Sequence, residues 1–472
     1  MGKLNFVRLV MNKIMENDKV HEECGVFGIY TLKDESVSKD IYYGLEALQH
    51  RGQEAAGIAV SNSYGPKGNI IIKKDIGLVS EVFREKDLEE LDGNLGVGHV
   101  RYSTTGESNA HNAQPIGMNY IKGTLAVVHN GNIINTDALK EEQMKRGTAH
   151  YTTSDTEVIA YEIIKDRVDT PSIEDALVKS IQRLKGGYAL LVASPRKLMG
   201  ARDPLGIKPL ILGKKEDTYI LASESAAIKA VGGEVVRDIE PGEVVCITRD
   251  GIKTVSRLES STKAHCIFEY IYFARNDSVM DGISVNDARV RAGEALARVK
   301  KVDADIVVGV PDSGLAAAWG YSKESKIPFA MAFYKNSYIG RSFIKPTQNE
   351  RQVAVQMKLS VLENVVYGKK IVLIDDSIVR GTTMRKLVDM LKAAGAKEVH
   401  VRISSPPFLY PCFYGTDVPS AGQLIASEHS TEEVRSNIGA DSLEYLRVED
   451  FKTMVGELPL CTACFTNEYP IK

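Results

Sequence analysis

The sequence predicts two domains of different fold class, an α+β domain followed by an α/β domain with a doubly wound parallel sheet. From residue 24 to about 255, runs of β-branched residues bounded by Gly, Pro, Asn or Asp alternate with helical patterns. From about residue 285 the order becomes strand, loop and helix, which is typical of a parallel sheet. The 472 residues are enough for two or three domains of ordinary size. The junction is therefore expected between residues 250 and 270.

Composition and charge argue against several classes of protein. The 59 basic and 62 acidic residues leave a net charge of −3, so no basic footprint for nucleic acid is expected. No stretch approaches the roughly 18 uncharged apolar residues of a membrane helix. Residues 1–23 place Arg8 inside their only apolar run and lack the small-residue exit of a secretory signal. We expect a cytoplasmic protein with neither nucleic-acid nor membrane partners.

The first domain opens with HEECGVFGIY, residues 21–30. Its apolar part predicts a strand, and Gly25 and Gly28 within that strand indicate that backbone or ligand comes close beside Cys24. Further strands are predicted by the segments GNIIIKKDIGLV, GTLAVVHNGNIINT, YALLVASP, TYILAS and GEVVCITRDGIKTVS.

A helix is predicted in TSDTEVIAYEIIKDRV. Ser154 and Glu157 match the spacing of a capping box, and Val158 and Ile159 begin the apolar face.

The second domain carries two strand-to-loop segments of chemical interest. In VVGVPDSGLAAA, Ser313 follows a buried strand, although the four residues PDSG alone would be read as a turn. In IVLIDDSIVRGTT, residues 371–383, the strand delivers Asp375 and Asp376 to the carboxyl end of the sheet, where open α/β sheets bind ligands. The small, hydroxyl-rich loop that follows precedes a helix starting near Met384, so its amides could hold a phosphate. A lone Asp-Asp pair would be an ordinary acidic turn.

A basic loop, KNSYIGRSFIKPTQNERQ, lies between these segments at residues 335–352. It carries Lys335, Arg341, Lys345 and Arg351 and has little periodicity. It is either a solvated loop or a lid that closes over an anionic ligand and excludes water.

Residues 371–383 resemble the phosphoribosyl pyrophosphate (PRPP) motif of type I phosphoribosyltransferases. The resemblance implies that Asp375 and Asp376 hold the ribose hydroxyls and, with Ser313, one Mg²⁺ per subunit. Carboxylates beside a ribose ring that becomes positively charged would stabilise it electrostatically. The remaining PRPP contacts implied by the resemblance are Ser377, Arg380, Gly381, Thr382 and Thr383, with Lys345 from the basic loop.

The first domain resembles the glutamine amidotransferase domain of the N-terminal nucleophile hydrolases, an α/β/β/α sandwich. The likeness runs from residue 24 to about 250 through CGVFGIY, HRGQEAAGI, GVGHVRYSTTG, HNGNI, SDTE and RDPLGIKPL. It implies that Cys24 becomes the first residue of the mature chain and attacks the glutamine amide. Its free α-amine, which titrates near about 8, can accept the thiol proton, whereas an amide nitrogen cannot. Residues 1–23 are therefore expected to be a propeptide that is removed.

The same resemblance assigns four further residues of the glutamine site. Arg101 would bind the α-carboxylate in a bidentate pair, and Asp155 would hold the ammonium. Asn130 and the Gly131 amide would form the oxyanion hole. Considered alone, Asn-Gly is a hairpin signal and Asp155 a favourable charge in the first turn of a helix.

Together the two halves resemble the glutamine phosphoribosylpyrophosphate amidotransferase family over residues 24–468. That family makes 5-phosphoribosylamine, glutamate and pyrophosphate from PRPP, glutamine and water, at the start of de novo purine synthesis. The resemblance implies a propeptide 1–23, a glutaminase domain 24–257 and a phosphoribosyltransferase domain 258–472. It also implies an ammonia path along CIFEYIYFARNDS, residues 266–278, inhibition by purine nucleotides, and a homotetramer or homodimer.

Four cysteines suit a metal site: Cys266, Cys412, and the pair Cys461 and Cys464 in CTAC. On chemical grounds four thiolates could hold zinc or an iron–sulfur cluster. Their positions resemble the subset of the family that carries a propeptide and one 4Fe-4S cluster per subunit. Cys246 lies in an alternating strand pattern and is expected to be a small buried hydrophobe.

Three alternatives remain open at this stage. Another N-terminal-nucleophile amidotransferase would share the first domain but carry sugar-isomerase modules in place of IVLIDDSIVRGTT. A PRPP-binding regulator would need a DNA-binding module, which the sequence does not display. An enzyme whose Cys24 stays blocked would have an inactive glutaminase.

Overall fold

The structure is a computed structural model that describes residues 24–64, 69–102, 109–336, 359–416 and 420–471. The predicted propeptide, residues 1–23, and Lys345 with most of the basic loop lie outside the described residues. No helix within the described ranges is long and apolar enough to cross a membrane.

The first domain contains two antiparallel sheets. Its strands are β1 (Gly25–Thr31), β2 (Ala55–Ser61), β3 (Ile70–Ile76), β4 (Leu95–Arg101), β5 (Ile116–Tyr120), β6 (Gly123–Ile133), β7 (Gly186–Ser194), β8 (Lys197–Arg202), β9 (Ile211–Lys215), β10 (Thr218–Ala222), β11 (Glu234–Asp238), β12 (Glu243–Thr248) and β13 (Gly251–Arg257). Within the described residues, the order is β11-β9-β10-β1-β4-β2-β3 in one sheet and β13-β12-β8-β7-β6-β5 in the other.

Helices cover the outer face of each sheet. They are α1 (Ser38–Ala47), α2 (Val79–Val82), α3 (Glu85–Glu90), α4 (Thr136–Lys145), α5 (Asp155–Asp169), α6 (Ile173–Ile181) and α7 (Ser225–Ala230). Helices α1 and α7 pack on β1 and β2, while α4 to α6 pack on the second sheet. A third apolar cluster, which includes Val26, Val97, Val128 and Leu191, fills the space between the sheets. This is the predicted α/β/β/α sandwich.

Strand β1 lies in the middle of its sheet and is buried on both faces. An added Cβ at Gly25 would lie 2.9 Å from the Val100 side chain, and one at Gly28 would lie 3.0 Å from that of Leu191. The two glycines are closely approached, but by packed side chains, so the prediction that backbone or ligand comes close there is wrong.

Helix α5 begins where the sequence placed it, but its cap differs from the prediction. The Ser154 hydroxyl accepts a hydrogen bond from the Thr156 amide at 3.3 Å. The Glu157 carboxylate instead accepts from the amides of Tyr151 and Thr152, at 3.0 and 2.8 Å. The predicted capping box is wrong because Glu157 fixes the preceding loop instead of closing on Ser154.

The junction and the second domain contain the remaining strands. They are β14 (His265–Cys266), β15 (Val279–Met280), β16 (Ile283–Ser284), β17 (Ile306–Gly309), β18 (Phe333–Lys335), β19 (Leu359–Val361), β20 (Lys370–Asp375), β21 (Glu398–Ile403), β22 (Ser442–Tyr445) and β23 (Leu460–Cys461). A π-helix spans Glu269–Phe273, and 3₁₀ turns span Ala421–Gln423 and Val448–Asp450. The helices are α8 (Val285–Val299), α9 (Gly314–Ser325), α10 (Glu363–Val366), α11 (Thr382–Ala393), α12 (Ile425–Glu428), α13 (Thr431–Ile438), α14 (Phe451–Val455) and α15 (Ala463–Thr466).

The second domain is built on a parallel sheet in the order β17-β20-β21-β22. A parallel bridge between Val307 and Phe329 adds a segment outside β17. Helices α8 and α9 cover one face, and α11 and α13 cover the other. The chain after β17 therefore turns to one side and the chain after β20 to the other, which makes the β17/β20 boundary a topological switch point. The predicted doubly wound parallel sheet is confirmed.

Two candidate catalytic sites

Cys24 lies at the start of β1, beside the end of β4. Gly25 pairs with Val100 across the two antiparallel strands, so Cys24 and Arg101 come at adjacent strand ends. Both residues are buried, and the Cys24 Sγ lies 3.5 Å from the carbonyl oxygen of Tyr102. An added Cβ at Gly52, in the HRGQ motif, would lie 2.6 Å from the Arg101 nitrogen, so this loop packs directly on the Arg101 backbone.

Asn130 and Gly131 lie inside β6, and the hairpin alternative for this Asn-Gly pair is wrong. Asn130 is fully buried, yet within the described residues neither polar atom of its side chain has a hydrogen-bond partner. Buried amides are normally satisfied, so this one is available to a ligand. Gly131 has φ +134°, and an added Cβ would lie 2.0 Å from the Gly187 carbonyl oxygen. Only glycine fits there.

Asp155 lies next to the same strand, because its carboxylate accepts a hydrogen bond from the Ile133 amide at 3.2 Å. Its second oxygen lies 3.4 Å from Nδ1 of His129. Burial favours the neutral acid, but His129 and the amide hydrogen bonds hold the pKa of Asp155 below its ordinary value. Asp155 therefore stays ionised and suits a cationic ligand group, besides its place in the first turn of α5.

Sequence reasoning missed the two histidines that join the sheets at this site. His99 Nε2, on β4, lies 3.0 Å from the carbonyl oxygen of His129, on β6. The Gln114 side chain accepts from the His129 amide at 2.6 Å. Burial lowers the pKa of His99 to about 3, so it is neutral. The signal was present in GVGHVRYS and HNGNI, where each histidine adjoins the residues that were assigned.

A cavity of about 720 Å³ contains Asp155. It is bounded by Asn132 and Ile133 of β6 and, from the second domain, by Phe413, Tyr469 and Ile471. Nothing in the sequence motifs pointed to these second-domain residues, because they are brought to the glutaminase-like domain only by the tertiary fold.

The second site lies at the switch point of the parallel sheet. Asp375 ends β20 and is followed by Asp376, and both are only 1% exposed. The Ser313 hydroxyl, after β17, donates to one Asp376 oxygen, and the Ser377 hydroxyl donates to the other at 2.5 Å. The structure therefore brings together the three residues that were predicted to share a metal.

The loop that was predicted to bind phosphate continues from Ser377 into α11, whose N-cap residue is Gly381 with φ +84°. Thr382 and Thr383 form the first helical residues, one to two positions earlier than the predicted start near Met384. Arg380 donates a hydrogen bond to the Gln423 side chain. The loop thus places hydroxyls and a helix N-terminus at the carboxyl edge of the sheet, as a phosphate site requires.

A second cavity, of about 710 Å³, opens in front of Ser313 and Thr383. The second domain contributes Asp312 and Lys335, which form an ion pair. Other parts of its wall come from His50 and Gln53 of the first domain and from junction residues 272–277. The cavity of the second site therefore reaches the domain junction.

A buried network joins Cys24 to this junction. The fully buried Arg51 donates from Nε to the Cys24 carbonyl at 3.1 Å and through its terminal nitrogens to Glu269 at 2.7 and 2.9 Å. It also pairs with Glu224 at 2.8 Å. Burial opposes ionisation of Glu224, but His50 and Arg51 hold its pKa far below the ordinary value. Sequence reasoning placed Arg51 in a motif but assigned it no contact.

Arg289 of α8 fixes the junction segment from the other side. It donates to the carbonyls of Tyr270, Tyr272 and Ala274 at 2.7 to 2.9 Å. Burial lowers the pKa of Arg289 to about 10, a shift that the charge of nearby Asp376 opposes. Arg289 is therefore a buried cation that binds the π-helical segment and also lies near Asp376 of the second site.

The four cysteines predicted as metal ligands surround one small cavity. Cys266 pairs with Cys461 across β14 and β23, and Cys412 and Cys464 complete the lining with the buried Lys208. Burial raises the pKa of Cys461 to about 12 and that of Cys464 well above its ordinary value. In the part of the chain that the structure describes, no group of three or more His, Cys, Asp or Glu side chains has the arrangement of a metal site. The fold gathers the thiols, but it does not identify a metal.

Two family models match this chain, a glutamine amidotransferase domain over residues 99–230 and a phosphoribosyl transferase domain over residues 285–404. Amidophosphoribosyltransferase of Methanothermobacter thermautotrophicus is 45% identical over 460 residues, 97% of this chain and 96% of the relative. The Bacillus subtilis enzyme is 44% identical over 458 residues, covering 96% and 94%. A solved structure of glutamine PRPP amidotransferase from B. subtilis, complexed with ADP and GMP, is similar at TM-score 0.88 and 43% identity, covering 95% of this chain and 98% of that one.

Proposed function

Since the chain belongs to the amidophosphoribosyltransferase family, we propose how its residues divide the family's reaction between two sites. The protein is a glutamine-dependent pentosyltransferase that forms 5-phosphoribosylamine, glutamate and pyrophosphate from PRPP, glutamine and water. This is the first step of de novo purine synthesis. The assignment of the two half-reactions depends on one observation. The buried Cys24 on one side and the Asp-Asp loop on the other lie on either side of one buried domain junction. We place the domain boundary between residues 257 and 258.

The glutaminase half-reaction is assigned to the site around Cys24. The α-amine of Cys24 takes the thiol proton, the thiolate attacks the glutamine amide carbon, and the α-ammonium then returns that proton to the departing amide nitrogen. The unsatisfied Asn130 amide and the Gly131 N–H stabilise the oxyanion, which collapses to a thioester and ammonia. Arg101 binds the substrate carboxylate and the ionised Asp155 its ammonium. Water then releases glutamate.

This mechanism requires Cys24 to be the first residue, so we expect the purified protein to have lost residues 1–23. The intact mass should correspond to residues 24–472, and Edman sequencing should begin at Cys24. Active protein that retains residues 1–23 would contradict the amine-base mechanism, because an amide nitrogen cannot take the thiol proton.

The ribosyl transfer is assigned to the loops after β17 and β20. Asp375 and Asp376 would hold the ribose hydroxyls, and the loop from Ser377 through Arg380, Gly381, Thr382 and Thr383 would hold the 5-phosphate. The two carboxylates and the Ser313 hydroxyl form a set of hard oxygen donors, which suits one Mg²⁺ per subunit. Bound Mg²⁺ would neutralise charge on the departing pyrophosphate. The proposed role of Lys345, closing over PRPP, concerns a residue outside the described ranges.

Ammonia would pass between the sites along the junction segment. Free ammonia is protonated at neutral pH and lost to solvent, so a dry path is needed. Tyr272 and Phe273 line the cavity in front of Ser313, and the buried Phe268 packs on Phe273 with ring centroids 4.9 Å apart. The bonds of Arg51 and Arg289 to this segment hold the proposed walls in place.

A 4Fe-4S cluster is our proposal for the four cysteines. Their thiols lie around one cavity, and a bound cluster would offset the cost of ionising buried sulfurs. The ammonium of Lys208 in the same lining would compensate negative charge on the ligated thiolates. The donors could also bind zinc, and the choice of iron rests on the position of the cysteines within the family.

Protein purified without oxygen is expected to be brown and to contain about four iron and four sulfide per chain. Cys464→Ser should lose most of the iron, whereas Cys246→Ser, at the buried cysteine of β12, should keep it. Zinc without iron in the anaerobic protein would contradict the cluster and leave the enzyme assignment unchanged.

Regulation and assembly follow the family in our proposal. A relative's structure contains ADP and GMP, so we propose that purine nucleotides inhibit this chain by feedback. We further propose a cytoplasmic homotetramer or homodimer.

A further inference from the structure

The cavity beside Asp155, the proposed partner of the glutamine ammonium, is lined partly by the other domain. Its lining residues from the second domain include Phe413, Tyr469 and Ile471. We propose that Phe413 and Tyr469 form the wall that retains the α-amino acid end of glutamine, and that Gly415 positions the oxyanion strand. The inference rests on the proposed glutamine site and adds positioning residues to it.

Ring contacts and hydrogen bonds connect the residues of this wall to one another. The rings of Phe413 and Tyr469 are in tilted contact, with centroids 4.8 Å apart and an interplanar angle of 39°, and the Tyr469 hydroxyl donates to the Pro411 carbonyl at 2.6 Å. The Tyr414 hydroxyl donates to the Ile471 carbonyl at 2.7 Å and accepts from the Ile471 amide at 3.0 Å. These contacts join residues 411–414 to the C-terminal residues 469–471.

This wall lies directly on the strand that carries the oxyanion residues. The Asn132 side chain donates to the Phe413 carbonyl at 2.8 Å. Gly415 has φ +107°, and an added Cβ would lie 2.8 Å from the Gly131 carbonyl carbon and 3.0 Å from its Cα. Two backbones therefore touch at Gly415 and Gly131, with no space for a side chain between them.

The two contacts predict two different kinetic effects. Phe413 borders the same cavity as Asp155, so its loss should weaken ground-state binding of glutamine and raise KM. Gly415 borders Gly131, so a side chain there should displace an oxyanion donor and lower kcat. Neither residue lies in the cavity in front of Ser313, so transfer from free ammonia should be unaffected.

Gly415→Ala should lower glutamine-dependent kcat about 100-fold, as loss of an oxyanion donor does, and leave the ammonia-dependent rate within about twofold. The matched control is Gly439→Ala. Gly439 also has positive φ, +72°, but an added Cβ would meet nothing within 4 Å. The control therefore introduces the backbone strain without the contact, and both of its activities should persist.

Phe413→Leu should raise the KM for glutamine about tenfold with little change in kcat, whereas Tyr367→Leu, at an exposed tyrosine of the same domain, should change neither. Equal loss of both activities in Gly415→Ala, or unchanged glutamine kinetics in Gly415→Ala and Phe413→Leu, would overturn the inference. A wild-type protein that uses ammonia but not glutamine would overturn the glutamine site itself, and the inference with it.

Discussion

Cys24→Ala is expected to abolish glutamine-dependent formation of 5-phosphoribosylamine while ammonia-dependent formation continues. Removing the nucleophile leaves no thioester route, so the glutamine-dependent rate should fall about 10⁴-fold or more. Ammonia supplied in solution needs only the loops after β17 and β20, which lie on a separate sheet. The measurement is pyrophosphate release with each nitrogen donor at saturating PRPP.

Cys246→Ala is the matched control for this prediction. Cys246 is the other buried cysteine of the first domain; it lies in β12 and packs in the apolar core on the second sheet. Its replacement removes a thiol of the same kind and should leave both activities measurable. Loss of both activities in a folded Cys24→Ala protein would contradict the two-site division, whereas retained glutamine-dependent synthesis would contradict the assigned nucleophile.

The sequence was sufficient to predict the sites whose chemistry is local to one strand and its loop. Asp375 and Asp376 come at the end of an apolar run that predicted a buried strand, and the structure places both at the carboxyl edge of the sheet. The helix start at Ser154 was equally readable, because an N-cap depends on neighbouring residues. Even there, Glu157 was assigned the wrong partner, since its two amide contacts belong to a loop without periodicity.

The features that the sequence left unpredicted depend on contacts between distant segments. Arg51 touches the Cys24 backbone and Glu269, which lie 27 and 218 residues away in the chain. The Asn-Gly pair at 130–131 alone has the local signature of a turn, and although GTLAVVHNGNIINT predicted a strand through it, the pairing of that strand with β7 was not predicted. Residue type gives no sign of such pairing, because it is decided by the packing of whole sheets.

Buried side-chain contacts at the junction connect the surroundings of the two sites. Glu269 sits in the π-helical turn and receives two hydrogen bonds from Arg51, while Arg289 binds three carbonyls of the same segment. A displacement of this segment would therefore strain contacts that reach both Cys24 and the neighbourhood of Asp376. Removing one partner of such a buried pair leaves an uncompensated charge, which costs about 3–5 kcal/mol.

Asp375→Asn combined with Asp376→Asn is expected to remove both synthetic activities. The double substitution keeps the side-chain volume but removes two negative charges from the switch point of the sheet, where both carboxylates are 1% exposed. Without them, neither the cationic ribose nor Mg²⁺ has its electrostatic partner, whichever nitrogen donor is supplied. We expect synthesis with glutamine and with ammonia to fall at least about 1,000-fold. Cys24 should still hydrolyse glutamine at a low rate.

The control for this prediction is Asp303→Asn combined with Asp305→Asn. These two aspartates precede β17, at the opposite edge of the same parallel sheet, and Asp305 accepts a hydrogen bond from the Lys370 amide at 2.8 Å. Their replacement changes the net charge by the same amount and affects only two surface contacts, the amide bond to Asp305 and the ion pair of Asp303 with Lys370 at 3.2 Å, so both activities should survive it. Circular dichroism and binding of PRPP by calorimetry separate misfolding from loss of the site. Near wild-type synthesis by the Asp375, Asp376 variant with either nitrogen donor would refute the assignment of these carboxylates, because no other described pair of acidic residues lies at the β17/β20 switch point.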